Sequence, residues 1–276
     1  MRFVRYGEAG AEKPGMLDAE DRLRDLSGVV RDLSGAVLGK LPRIDPKGLP
    51  LVAGTPRLGP PVTGVGKFIG IGLNYSDHAA ETGMAPPEHP IVFMKATSSI
   101  IGPNDAVSLP RGSTHTDWEV ELGVVIGRRA QSVEEADALD HVAGYCIVND
   151  VSERVYQSKL SGQWTKGKSC DTFGPLGPWL VTPSAVGDPQ ALELTLDLNG
   201  ERMQTGHTAR MIFPVAEIIA HLSTLMSLHP GDVIATGTPP GVGMGRDPKR
   251  FLTEGDEMTL EITGLGRQTQ TVMRDH

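Results

Sequence analysis

The sequence predicts a mostly β protein with a few helices, of the α+β class. Eight short runs are apolar or alternate between polar and apolar residues, as strands do, whereas only three stretches carry a helical pattern. The 34 glycines and 21 prolines are typical of a chain with many turns. Because the strands do not alternate regularly with helices, a doubly wound parallel sheet is not favoured.

The first 64 residues are predicted to form a small N-terminal domain and a linker. Residues 1–47 combine short strands with one helix or turn, and residues 48–64 are rich in glycine and proline. Residues 65–276 form the main, strand-rich domain. Its predicted strands are Lys67–Gly72, Ile91–Lys95, Trp118–Ile126, Gly144–Asn149, Trp179–Thr182, Leu192–Leu198, Asp232–Thr236 and Glu257–Ile262. Its predicted helices are Ser76–Thr82, Val133–Leu139 and Val215–Met226.

The composition argues against several classes of protein. A formal net charge of −8, without a block rich in lysine or arginine, argues against a nucleic-acid partner. No stretch approaches the roughly 18 consecutive apolar residues of a membrane span. The only cysteines, Cys146 and Cys170, are too few for a disulfide scaffold and lack the spacing of a zinc site. We therefore expect a cytoplasmic protein that binds neither nucleic acid nor a membrane.

Two acidic residues, Glu119 and Glu121, lie in the predicted strand Trp118–Ile126. Side chains two residues apart on a strand point to the same face, so both carboxylates project into one small volume. A cation or a shared proton must offset their repulsion, and Mg²⁺ or Ca²⁺ is suitable because both ions take oxygen ligands. The alternative is the solvent-facing edge of an amphipathic strand, where paired acids are harmless.

Asp150 follows the predicted strand Gly144–Asn149, at a strand end that a sheet would present to a cleft. Together with Glu119 and Glu121 it would complete three oxygen ligands and leave positions open for water and substrate, as a catalytic Mg²⁺ site requires. Alternatively, Asp150 only caps the helical turn that follows it.

His78 and Glu81 are three residues apart on the predicted helix Ser76–Thr82, and therefore on one face of it. A carboxylate beside an imidazole holds its tautomer and raises its basicity, which suits the removal of a proton from water. Such pairs also occur on ordinary helix surfaces.

Two glycine-containing segments could meet an anion. Residues Gln163–Asp171 carry two lysines, one of them Lys168, although a solvated basic loop explains this pattern equally well. Residues Ala235–Gly243, which include Thr238, have glycines that permit a backbone nest for a carboxylate or a phosphate. The chain contains neither a Gly-x-Ser-x-Gly elbow nor a His-Glu-x-x-His motif.

In their order and in their residues, these motifs resemble those of the fumarylacetoacetate hydrolase family across about residues 65–265. The branch that the chain resembles most carries the labels 2,4-diketo-3-deoxy-fuconate hydrolase, ureidoglycolate lyase and 2-hydroxyhepta-2,4-diene-1,7-dioate isomerase. Seven matching stretches occur in the same order: Ile69–His78, Phe93–Lys95, Ile101–Pro103, Trp118–Leu122, Asn149–Ser152, Gly167–Ser169 and Thr236–Pro239.

The resemblance implies a β-roll catalytic domain of mixed sheets, a small N-terminal domain and a homodimer. It also implies that Glu119, Glu121 and Asp150 bind a divalent cation, with Mg²⁺ expected and Mn²⁺ or Ca²⁺ as alternatives. An all-carboxylate site accepts several hard cations, so the choice among them stays open.

The same resemblance implies roles for five further residues. His78 and Glu81 would form the dyad that activates water, and Lys168 would stabilise negative charge on the substrate. Thr238 would help to hold the carboxylate of a 2-oxo acid substrate. Lys95 is also expected at the substrate site, where supporting the acidic residues fits it better than direct catalysis.

These parts predict an enzyme that hydrolyses a carbon–carbon bond in a 2,4-diketo sugar acid, such as 2,4-diketo-3-deoxy-fuconate, to pyruvate and a hydroxy acid. Leu73 stands where many relatives carry arginine, which favours a neutral, polyhydroxylated tail on the substrate over a second carboxylate. The alternatives are a ureidoglycolate lyase, a 2-hydroxyhepta-2,4-diene-1,7-dioate isomerase or decarboxylase, and a protein that binds a metal and an oxo acid without catalysis.

Overall fold

A computed structural model describes residues 1–77 and 85–274 of the chain. Within these residues the fold is dominated by strands, and the β-rich prediction is confirmed. The strands are β1 (Arg2–Tyr6), β2 (Lys13–Leu17), β3 (Leu23–Asp25), β4 (Leu58–Gly59), β5 (Phe68–Gly72), β6 (Ile91–Lys95), β7 (Ile100–Ile101), β8 (Val107–Leu109), β9 (Thr116–Asp117), β10 (Val120–Ile126), β11 (Val142–Asn149), β12 (Ser152–Glu153), β13 (Gly174–Val181), β14 (Glu193–Leu198), β15 (Glu201–His207), β16 (Val233–Ala235), β17 (Glu257–Ile262) and β18 (Gly266–Arg274).

The helices that lie wholly within the described residues are short, with one exception. The α-helices are α1 (Glu135–Ala138), α2 (Arg154–Ser158), α3 (Thr165–Lys168), α4 (Pro183–Val186) and α5 (Val215–Leu225). Single 3₁₀ turns cover Gly35–Lys40, Pro46–Gly48, Thr97–Ser99, Leu139–His141, Thr208–Arg210 and Gly243–Gly245. None of the described helices is long and apolar enough to cross a membrane.

Two mixed sheets form the body of the molecule. The larger sheet has the strand order β3-β2-β1-β13-β11-β10-β16-β5-β6, with β4 paired to β1 and β7 paired to β13. Most of its neighbours are antiparallel, but β16 runs parallel to β5. The second sheet has the order β15-β14-β17-β18-β8, and β9 and β12 form a separate pair. This is the α+β architecture expected from the sequence.

The central strands β10 and β11 carry the core on both faces because they are composed almost wholly of apolar, mostly branched residues, as strands buried on both sides are. On one face Leu122 and Ile147 pack in a cluster with the second sheet and with helix α5. On the other face Val125 and Val148 pack against the N-terminal segment. This double burial fixes the two strands rigidly, which matters because the candidate site lies at their ends.

The N-terminal residues do not stand apart from the main sheet. Strand β1 pairs with β13, with Phe3 opposite Leu180, so β1, β2 and β3 extend the larger sheet at one edge. The boundary that the sequence places after residue 64 stays a prediction, and the sheet runs continuously across it.

All eight predicted strands correspond to strands of the structure, and β6 and β17 have the predicted bounds. Helix α5 ends one residue before its predicted end, and the prediction Val133–Leu139 corresponds to the shorter helix α1 followed by a 3₁₀ turn. Most of the predicted helix Ser76–Thr82 lies outside the described residues.

Candidate active site

Strand register brings the motifs of the sequence together at one edge of the larger sheet. Val120 at the start of β10 pairs with Asn149 at the end of β11. The ladder extends one step further, since Asp150 N donates a hydrogen bond to Glu119 O over 2.9 Å. Strands β5 and β16 run parallel and end at the same edge, so the segment after β16 also reaches this place.

Three carboxylates form an acidic cluster at this edge. Glu119, Glu121 and Asp150 each offer an oxygen, and these oxygens lie within 4.8 Å of one another. All three side chains are buried. Glu119 lies one residue before β10 rather than within the strand as predicted, because the ladder with β11 begins at Val120. Despite this, its carboxylate reaches the same small volume as that of Glu121.

Three buried cations surround two of these carboxylates. The Lys168 ammonium nitrogen lies 2.6 Å from Glu119 Oε2 and 2.6 Å from Asp150 Oδ2. The Lys95 ammonium nitrogen lies 2.6 Å from Asp150 Oδ1, and Arg154 Nη1 lies 2.8 Å from Glu119 Oε1. Burial alone would raise the pKa of Glu119, but Lys168 and Arg154 override it and lower that pKa to about 2.

Glu121 lacks such an ion pair within the described part of the chain. Its Oε2 accepts a hydrogen bond of 2.7 Å from Gly237 N, and no lysine or arginine of the described residues forms an ion pair with it. Burial, together with the charges of Asp150 and Glu119, raises the pKa of Glu121 well above its usual value. Three converging oxygens with one uncompensated acid suit a hard divalent cation, so the residues fit the expected metal.

Helix α3 supplies the lysine of the cluster. The sequence predicted a loop over Gln163–Asp171, which is wrong for Thr165–Lys168, where a single helical turn buries Lys168 and leaves Lys166 exposed. The turn packs closely on α2, because a Cβ atom at Gly167 would lie only 2.3 Å from Glu153 O. This contact requires glycine and sets the position of Lys168.

Arg154 and Gln157 belong to the site, although they were not predicted. They are three residues apart on α2, hence on one face, and Arg154 Nη1 donates to Gln157 Oε1 over 3.1 Å. Arg154 Nε donates to Asp117 Oδ2 over 2.8 Å. Arg154 Nη2 lies 2.8 Å from the same oxygen but makes no well-directed hydrogen bond within the described part of the chain. In the sequence, they could have been recognised by their positions four and seven residues after Asp150, which place both on one face of a helical turn.

A cavity of about 130 Å³ opens over the acidic cluster. Its polar lining includes Glu119, Glu121, Arg154, Gln157 and Lys168. Ser158 and Thr238 add two hydroxyl groups, and aromatic and aliphatic side chains form most of the remaining wall. The cavity therefore combines a charged floor with an apolar wall.

The other predicted site residues occupy different positions. Thr238 lines the cavity, but its hydroxyl already donates to Val120 O over 2.9 Å and accepts from Gln204 Nε2 over 2.8 Å. Lys95 contacts Asp150 and Val151 O and is not among the described residues of the lining, so its contacts are those of a support. His78 and Glu81 lie outside the described residues.

The fold is that of a family of metal-dependent hydrolases and isomerases, and the buried acidic cluster could hold a divalent metal ion. Residues 67–273 match the family model described as fumarylacetoacetate (FAA) hydrolase C-terminal. The chain belongs to this family. A curated relative from Burkholderia cenocepacia, strain HI2424, is 60% identical over 98% of both chains and carries the general name "Putative hydrolase".

Solved structures with the same fold differ in their chemistry. The fumarylacetoacetate hydrolase of Exiguobacterium antarcticum is 34% identical over the full length of both chains, with a TM-score of 0.90. The 2-hydroxyhepta-2,4-diene-1,7-dioate isomerase of Mycobacterium marinum is 33% identical over 100% of this chain and 99% of its own, with a TM-score of 0.78. The maleylpyruvate hydrolase of Sphingobium sp. SYK-6, solved with manganese(II) and pyruvate, is 28% identical over the full length of both, with a TM-score of 0.80.

Proposed function

We propose that this protein is a divalent-metal-dependent hydrolase that cleaves the carbon–carbon bond of a 2,4-dioxo acid to pyruvate and a second carboxylic acid. The observation that carries the proposal is the buried cluster of Glu119, Glu121 and Asp150, in contact with Lys168, at the floor of a cavity. The sugar acid 2,4-diketo-3-deoxy-fuconate is one member of this substrate class.

We assign Glu119, Glu121 and Asp150 as the metal ligands, with Mg²⁺ as the proposed ion and Mn²⁺ or Ca²⁺ as alternatives. A bound divalent cation would supply Lewis-acid polarisation of a substrate carbonyl. The assignment is supported by the convergence of the three oxygens within 4.8 Å and by the absence of a lysine or arginine ion pair to Glu121 among the described residues.

Two cations of the chain suit the charges of such a substrate. Burial opposes the charge on Lys168, but Asp150 and Glu119 outweigh it and raise the pKa of this lysine, so it stays protonated. Its ammonium can therefore stabilise negative charge on the departing pyruvate fragment. Arg154 Nη2 has no well-directed acceptor within residues 1–77 and 85–274, so its N–H groups can donate to the C1 carboxylate of the substrate.

We propose that His78 and Glu81 activate the attacking water. His78 takes a proton from water as its oxygen attacks C4, and the C3–C4 bond then breaks with its electron pair moving to C3. Return of the proton to C3 yields pyruvate, and the acyl fragment leaves as a carboxylic acid. The family resemblance and the sequence spacing of the two residues support this assignment.

Pyruvate release from 2,4-dioxopentanoate tests the function. With Mg²⁺ or Mn²⁺ we expect turnover that chelation abolishes, and His78→Ala should reduce kcat at least 100-fold. His229→Ala, at an exposed histidine, is the matched control. Absence of pyruvate under all metal conditions would refute the proposal, and release of glyoxylate and urea from ureidoglycolate would identify a lyase instead.

We also propose that the chain forms a homodimer, on the support of the family resemblance. Light scattering coupled to gel filtration should then give twice the monomer mass of 29.4 kDa. A mass of one chain at micromolar concentration would contradict this.

A further inference from the structure

The cavity wall contains two aromatic rings that pack directly against glycines. Strand β5 carries Gly70 and Gly72, and a Cβ atom at these positions would lie 2.2 Å from the Phe93 ring and 2.3 Å from the Trp164 ring. The two rings lie against each other, with centroids 5.6 Å apart and planes tilted by 52°. Because only glycine leaves room for them, the strand and the rings form one built apolar surface.

This surface begins beside the acidic cluster. The ammonium nitrogen of Lys168 lies 4.9 Å from the centre of the Phe93 ring. Leu73 and Met244 also line the cavity, and both are apolar. A substrate whose oxo-acid end sits on Lys168 therefore places the part beyond its reacting carbonyl against Phe93 and its apolar neighbours.

No cation of the described lining is left for a second carboxylate. Lys168 and Arg154 are the lysine and arginine of the described lining, and the proposed function assigns both of them to the oxo-acid end of the substrate. The sequence contains no lysine or arginine between Lys67 and Lys95, a stretch that includes the whole of β5 and most of β6. A tail carboxylate would be desolvated without a partner, which is costly.

Hydroxyl groups on the tail of the substrate would also find few hydrogen-bond partners in this wall. The side chains of Phe93, Leu73 and Ile71 have no polar atoms, Met244 offers only a weakly accepting sulfur, and Trp164 offers a single indole N–H. The hydroxyls of Ser158 and Thr238, which also line the cavity, already donate to backbone carbonyls. An apolar pocket gains little from an added hydroxyl, and an unpaired one loses its hydrogen bonds to water. The wall thus favours carbon over oxygen in the tail.

We infer that the site selects 2,4-dioxo acids whose tail beyond C4 is an uncharged alkyl group. This rests on the proposed function and replaces the polyhydroxylated tail that the sequence favoured. A buried methylene contributes about 0.8 kcal/mol, which corresponds to about fourfold in kcat/KM for each methylene that reaches the wall.

A matched substrate panel tests the selectivity by pyruvate release. We expect kcat/KM to rise about fourfold per methylene from 2,4-dioxopentanoate to 2,4-dioxoheptanoate. It should be at least 10-fold lower for 2,4-dioxoheptanedioate, which has a carboxylate in place of the terminal methyl group. The ethyl-tailed 2,4-dioxohexanoate should exceed 2,4-diketo-3-deoxy-fuconate, which adds a hydroxyl. A reversal of either preference would overturn the inference.

Binding of substrate fragments separates this inference from the proposed function. Calorimetry with the Mn²⁺-loaded protein should show 2-oxohexanoate binding at least 10-fold more tightly than pyruvate and than 2-oxohexanedioate. Alkyl preference in binding without pyruvate release from any dioxo acid would refute the hydrolase and support the tail inference. Pyruvate release combined with equal or tighter binding of the diacid would refute only the tail inference.

Leu73→Arg places a cation in the wall and tests its charge directly. We expect this variant to raise the affinity for 2-oxohexanedioate relative to 2-oxohexanoate at least 10-fold. Leu73→Met, which adds no charge, should keep the ratio within about threefold. Leu73 has a φ of 51°, and both replacements are unbranched at Cβ like leucine, so the backbone cost is matched. An unchanged ratio in Leu73→Arg would contradict the proposed basis of selectivity.

Discussion

The ammonium nitrogen of Lys168 lies 2.6 Å from Oε2 of Glu119, and both side chains are buried. The same nitrogen lies 2.6 Å from Asp150 Oδ2, so one lysine joins the start of β10, the end of β11 and helix α3. A buried cation needs such partners to remain charged. The pair therefore couples the geometry of the acidic cluster to the position of α3.

Replacement of Lys168 should lower the turnover rate more strongly than it lowers the affinity for the metal ion. In Lys168→Met we expect kcat for pyruvate release to fall at least 100-fold, because the charge that faces the developing anion is lost. Lys166→Met is the matched control on the same helix, since Lys166 is exposed and its ammonium group donates to the backbone oxygen of Leu160. Steady-state kinetics with Mn²⁺ measure kcat for both variants. A kcat within fivefold of wild type in Lys168→Met would exclude this role.

The contact between α2 and α3 predicts a stability effect at Gly167. A Cβ atom there would lie 2.3 Å from Glu153 O and 2.5 Å from Gln157 N, so Gly167→Ala must push the helices apart. We expect a loss of about 2 kcal/mol, or a Tm lower by about 4–8 °C. In Gly28→Ala, where no atom lies within 4 Å of the added Cβ, Tm should change by less than about 2 °C. Equal Tm values for both variants would contradict the close packing.

The hydrogen bonds to the Asp18 carboxylate predict that this residue contributes to the free energy of unfolding in a pH-dependent way. Burial opposes its charge, but hydrogen bonds from Arg22 N, Arg24 and the Arg22 side chain hold the pKa of this carboxyl well below its usual value. A folded pKa below the unfolded one means that the stabilisation is present at neutral pH and is lost as pH falls below about 4.

Thermal unfolding of Asp18→Asn tests this. Its Tm should be about 2–6 °C below wild type at pH 7, and the difference should shrink as the pH falls below 4. Asp21→Asn, at an exposed aspartate that pairs with Arg2, should differ little from wild type at either pH. A difference for Asp18→Asn that grows on acidification would refute the assigned direction.

The apolar strands of the fold were predictable because their pattern is local. The missed strands β15 and β18 are largely polar, and β18 buries Gln268 and Gln270 beside a single valine, Val272. The hairpin between β14 and β15 does carry a local indication, since Asn199 and Gly200 both have positive φ, as a two-residue turn requires. Polar composition, not the turn, concealed β15.

The acidic cluster was predictable in part, since the spacing of Glu119 and Glu121 and the strand end at Asp150 are visible in the sequence. The burial of Lys168 was not, because it follows from the packing of α3 on α2 through Gly167. The apolar wall was not predictable either. It joins Phe93 on β6 with Trp164 before α3, a tertiary contact between segments that have no pattern in common.

Binding of Mn²⁺ measured by calorimetry, with Tm recorded on the same samples, tests the claim that the three carboxylates form a metal site. We predict one ion per chain for wild type and for Glu135→Gln, an exposed control, and a rise in Tm of about 5–10 °C when the ion is at 100 times its Kd. Glu121→Gln should bind at least 100-fold more weakly and show no such rise. Undiminished binding in Glu121→Gln, or no binding by wild type, would contradict the account.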